Sequence, residues 1–98
     1  MKIKTKSGFT CNVNENKVKD WRFVTATAKT AKSTDELEII NCLNFCLNFL
    51  LEEEQANKLV EHIAQKGGVA DINTVSAEYK EITTQLGEQV KKSQSLQG

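Results

Sequence analysis

The sequence predicts an α+β fold, mainly α: an N-terminal β-hairpin, about four short helices and a flexible C-terminal tail. Three observations predict it. Lys2, Lys4 and Lys6 alternate with apolar or β-branched residues, and Phe9, Cys11 and Val13 alternate in the same way, the period of strands with one wet face. Apolar residues then recur at helical spacing in separate blocks from Val18 to Leu86. Proline is absent from all 98 residues, which suits uninterrupted helices.

The length fits one domain, expected over residues 1–89, with 90–98 as the tail. Apolar residues make up 39% and charged residues 27% of the chain, so it is too apolar to be wholly disordered. Thirteen basic residues balance thirteen acidic ones, which leaves no global attraction for nucleic acid. Three cysteines cannot all pair within a monomer, and reduced thiols in an intracellular compartment are the simpler reading. The opening Met1–Gly8 has no apolar core of a secretory signal, and no apolar stretch reaches the roughly 20 residues of a membrane span.

Each element follows in order. Ser7-Gly8 supplies the hairpin turn. The lysine row reads as a solvated edge strand, and a phosphate-binding patch is the alternative. Helix 1 is expected from Asn14 or Asn16, both good N-caps. Val18, Trp21, Val24, Thr25 and Ala28 then share its apolar face, and Phe23 points the other way. Helix 2 opens at Ser33, with Glu36 at capping-box spacing. Eleven of the fifteen residues from Leu37 to Leu51 are apolar, so this helix needs cover on nearly every side. Asn41, Asn44 and Asn48 fall within about 60° of one another on its wheel. Either the other helices wrap it wholly, or a second copy or a partner helix covers the remainder. Glu52-Glu53-Glu54 marks a break and the acidic first turn of helix 3. There Ala56, Leu59, Val60, Ile63 and Ala64 form a stripe closed by Gly67-Gly68. Helix 4 begins near Asn73, with Val75, Tyr79, Ile82 and Leu86 on one face.

Charge is uneven along the chain. Residues 1–32 carry a net +6 and residues 33–65 a net −6. The two blocks suit attraction within one fold or between neighbouring copies.

No catalytic constellation emerges. Cys11, Cys42, Cys46 and His62 make a Cys3His set arithmetically, but their spacing matches no zinc motif. His62 has no nucleophile motif beside it in sequence. Gly67-Gly68 lacks the Lys-Ser/Thr of a phosphate loop, and Asp71-Ile-Asn73 lacks the glycine and glutamate of a calcium loop. The chain reads as an interaction protein, with no catalytic residue, metal or cofactor expected.

Met1–Phe9, the turn at Asn14-Glu-Asn16, and Lys19-Asp-Trp21 resemble the opening of the small tail assembly chaperones of long-tailed bacteriophages of Gram-positive hosts. Leu50–Gln55 with Leu59 and Glu61-His62 resembles the third helix of that family, and Gly68-Val69 with Ile72 and Val75 its last connector and helix. The resemblance covers roughly residues 1–88. It departs from the family in the Cys-Leu-Asn-Phe-Cys-Leu-Asn-Phe run of Cys42–Phe49, and in lacking a glycine at Leu51/Glu52.

The resemblance implies a non-enzymatic role in the host cytoplasm during phage assembly, outside the mature virion. The partners it implies are the tape-measure protein first and the major tail-tube protein second, with self-association and without a membrane. Phe23, Leu43, Phe45, Leu47, Phe49 and Leu50 are the candidate partner-binding residues. The alternative is a small nucleic-acid-binding regulatory protein that uses the basic hairpin and helix 1, with binding steeply weakened by salt.

Overall fold

A computed structural model describes the backbone of residues 1–97 and the side chains of residues 1–88. Strand β1 (Lys2–Lys4) pairs antiparallel with β2 (Thr10–Asn12), with Ile3 opposite Cys11. The Gly8 amide donates to the Thr5 carbonyl at 3.0 Å, and Gly8 takes φ +96°, the left-handed residue that this bulged turn requires. The expected alternation holds. Ile3, Thr5, Phe9, Cys11 and Val13 are buried, and Lys2, Lys4 and Lys6 are exposed.

The first helix departs from expectation. Residues Glu15–Lys19 form a 3-10 turn, and α1 (Trp21–Lys32) starts anew behind the N-cap Asp20. The expected apolar face is also inverted: Phe23 is buried, whereas Trp21, Val24, Thr25 and Ala28 face outward. Alternating alanine and threonine give this helix little apolar contrast, so one phenylalanine decides which side turns inward.

Helix α2 (Glu36–Gly67) spans what the sequence suggested as two helices. Its N-cap is Asp35, which accepts from the Leu37 amide at 3.1 Å, whereas Ser33 closes α1. The expected break survives as a kink at Glu52, with φ 67° and ψ 156°. That region is essentially reserved for glycine and costs about 1–3 kcal/mol for other residues. Lys17 braces the kink by donating to the Phe49 carbonyl at 2.9 Å and pairing with Glu52 at 3.6 Å. Gly68 ends the helix at φ +81°, its amide bonded to the Ala64 carbonyl.

Helix α3 (Ile72–Gln97) is capped by Asp71, which accepts from the Asn73 and Thr74 amides. Three helices, the second kinked, therefore stand where about four were expected. Backbone over residues 90–97 continues α3. The tail expected over 90–98 is therefore helical in its backbone as far as Gln97, and its side chains lie outside the described residues.

One core joins these elements. Leu50, Leu51, Leu59, Ile82 and Leu86 are each at most 1% exposed, and they pack with the inner face of the hairpin. The C-terminal arm of α2 and helix α3 clamp that hairpin. Gln55 bonds both the amide and the carbonyl of Asn12 at 2.8 Å, Glu81 accepts from the Lys6 amide at 2.8 Å, and Gln85 donates to the Lys4 carbonyl at 3.0 Å.

Two predictions arise here. Glu52→Gly removes backbone strain but adds about 1 kcal/mol of chain entropy and loses an exposed ion pair. The net expectation is a gain of about 1 kcal/mol, read as a higher urea midpoint. An unchanged or lower midpoint would show that the kink carries no strain.

The second concerns the thiols. Burial pushes the Cys11 thiol from its ordinary 9.0 up to about 11. Between those values unfolding releases its proton, so stability falls as pH rises through that window. At pH 8 a thiol reagent should modify the half-buried Cys42 first and reach Cys11 only on unfolding. Equal rates for the two in the folded protein would contradict this burial.

Candidate functional site

The densest surface feature lies along α1 and the N-terminal arm of α2. Phe45 and Phe49, one turn apart, stack with centroids 5.7 Å apart, and Phe23 of α1 continues the ladder 6.3 Å from Phe49. Lys17 and Arg22 sit over the Phe49 ring at 5.5 and 5.2 Å, close enough for cation–π attraction. Asp20 holds the Arg22 guanidinium with two bonds of 3.0 Å, and these bonds keep its carboxyl below the usual aspartate range. The cations therefore belong to the wall of the site.

Of the six sequence-predicted residues, Phe23, Leu43, Leu47 and Leu50 lie in the core and are not surface groups. Phe49 is half-buried beneath its two cations, and Phe45 remains 41% exposed. The candidate surface thus narrows to Phe45, with the edge of Phe49. Other exposed apolar residues on α1 and α2 lie outside the groove wall. Trp21 is 78% exposed and Val24 45%, on the α1 face that the spacing assigned to the core. Leu37 at 72% and Ile40 lie at the start of α2. The signal for the later start was present: Asp20 is a good N-cap, so α1 begins at Trp21 and Val18 lies outside it.

Recesses lie on both flanks of α1. A shallow groove of about 340 Å3 runs between Thr25, Ala26 and Lys29 on one side and Asn41, Cys42 and Phe45 on the other. Trp21, one helical turn before Thr25, is exposed on α1 but does not line this groove. On the opposite flank, α1, α2 and α3 enclose an apolar cavity of about 460 Å3 lined by Thr27, Leu43, Cys46 and Tyr79 among others. The Tyr79 hydroxyl is buried there without a hydrogen-bond partner. Burial first, and the adjacent Cys46 next, raise its pKa, so it stays a neutral phenol.

Among the described residues, one pairing is a candidate for nucleophilic chemistry. His62 Nε2 lies 3.2 Å from Ser7 Oγ, but it lies equally near the Ser7 carbonyl oxygen, to which Lys66 also donates. A ring nitrogen donating to that carbonyl cannot accept the hydroxyl proton. The contact anchors the hairpin turn to α2. Among the described residues, no three His, Cys, Asp or Glu side chains gather as a metal site, so Cys11, Cys42, Cys46 and His62 do not converge. No described helix is long and apolar enough to cross a membrane.

Lys4 and Lys6 line a groove with Lys80, but Glu81 and Glu88 share it. The acids dilute the positive field that phosphates would need. Between the basic first third and the acidic middle, the described side chains form a single ion pair, Lys17–Glu52. Comparison of the chain with models of protein families, with curated proteins and with solved structures finds no match.

Proposed function

We propose that the protein is a non-enzymatic tail assembly chaperone of a long-tailed phage. In this reading it binds the apolar helical tape-measure protein in the host cytoplasm and keeps it soluble while tail-tube subunits assemble around it. The observation that carries the proposal is a groove between two helices that Phe45, 41% exposed, lines beside Ala26 and Cys42. An amphipathic client helix docks in such a groove by seating its apolar side chains at successive turns. The exposed Asn41 and Lys29 in the groove wall keep the free chaperone from offering one unbroken apolar patch.

The experiment is a tagged pull-down from phage-producing host cells after nuclease treatment. Recovery of one very long helical phage protein, absent from a tag-only control, supports the reading. Recovery of nucleic acid alone when nuclease is omitted favours the regulator instead, for which the exposed Lys2, Lys4 and Lys6 are the supporting feature. Binding by those lysines would fall steeply with salt, whereas binding by apolar burial would not.

A further inference from the structure

We propose that Glu52 is a hinge through which two copies of this chain exchange the C-terminal arm of α2 together with α3, giving a domain-swapped dimer. The inference goes beyond the chaperone reading and does not depend on it.

Three observations carry it. First, Glu52 is the one non-glycine residue with positive φ among the described residues, and no loop separates the helical arms on its two sides. A change to helical φ and ψ at this residue joins the arms into one straight helix, about 48 Å long over its 32 residues. Short, strained connections of this kind are where exchange of identical elements is favoured. The Phe49 carbonyl, now capped by Lys17, would then accept from the Glu53 amide in the ordinary helical pattern.

Second, the straightened arm leaves its own hairpin. Gln55, His62, Lys66, Glu81 and Gln85 all bond that hairpin in the closed chain. Without them the inner faces of Phe9, Cys11 and Val13 lose their cover.

Third, these bonds define the occupant. A second copy that has opened in the same way offers every one of these side chains in the same order, so each hairpin regains its own set of partners. The arrangement closes on itself with twofold symmetry. Apart from the hinge, each contact of the closed chain is remade across the pair.

The test uses the full chain, refolded at rising concentration and sized by light scattering after gel filtration. The wild type should give a monomer and a dimer. Glu52→Gly relieves the strain in the closed form, about a factor of ten per hinge. With two hinges it should raise the dimer dissociation constant about 100-fold. Glu52→Ala keeps the strain and favours the straight helix, so its dimer should persist. In dimers refolded from mixed light and heavy isotopic copies, Lys66 should cross-link to Lys6 between a light and a heavy chain. A wild type that stays monomeric after refolding at millimolar concentration overturns the proposal. So does an unchanged dissociation constant in Glu52→Gly, or a dimer whose Lys6–Lys66 links join only like-labelled chains.

Discussion

Leu50→Ala is expected to lower the unfolding free energy by about 2–5 kcal/mol, the usual cost of emptying a fully packed leucine site. Leu50 is 1% exposed and lies two residues before the kink, where both arms of α2 turn on the core. A domain of this size has about 5–15 kcal/mol in total, so the variant should be partly unfolded at modest urea concentrations. Chemical denaturation followed by circular dichroism measures it. A loss below about 1 kcal/mol would mean that Leu50 is available at the surface, as the sequence allowed. Leu43 and Leu47, at 7% and 6% exposure, should behave similarly but less severely.

Phe45→Asp should do the reverse: leave the fold in place and remove binding. Its ring is 41% exposed and its main described aromatic contact is the stack on Phe49. Losing that stack costs about 0.5–1.5 kcal/mol, which a folded domain tolerates. If Phe45 anchors a client helix, its loss should weaken capture of the long phage protein at least about 30-fold, the effect of removing an aromatic hot spot. The readout is client recovered per amount of folded variant, with circular dichroism confirming the fold. Undiminished recovery with folded Phe45→Asp would take this groove out of the proposed site.

The hairpin and the last helix were legible because each carries a one-sided pattern. Lysines on one face of β1 leave no choice of register, and Ile82 and Leu86 of α3 have no competing apolar face. The kink at Glu52 was legible as a charge run and a missing glycine, though not as a residue held in a glycine conformation. The candidate site was only half legible. In the N-terminal arm of α2 nearly every position is apolar, so periodicity cannot say which side α1 and α3 occupy. Phe45 and Leu43 look alike in sequence, and their exposures differ only because neighbouring helices cover one of them. In α1 the weak Ala/Thr pattern left Phe23 to set the buried face, and the capping aspartate placed the helix start later than Asn14 or Asn16, so Val18 falls outside it.

The clamp on the hairpin also governs when the protein can acquire its core. The Lys6 and Lys4 backbone groups find their partners 75 and 81 residues further along the chain. During synthesis at about 5–20 residues per second, α1 and the first arm of α2 can pair locally within seconds of emerging. The two short strands can gain the α2 half of their clamp once Lys66 has emerged, but the α3 half only once Gln85 has cleared the ribosome. Until then the inner face of the hairpin lacks the cover of Ile82 and Leu86. The first residues made are thus the last to be secured, and ribosome-bound chains ending before residue 81 should be cut by protease within the hairpin, whereas the finished protein resists.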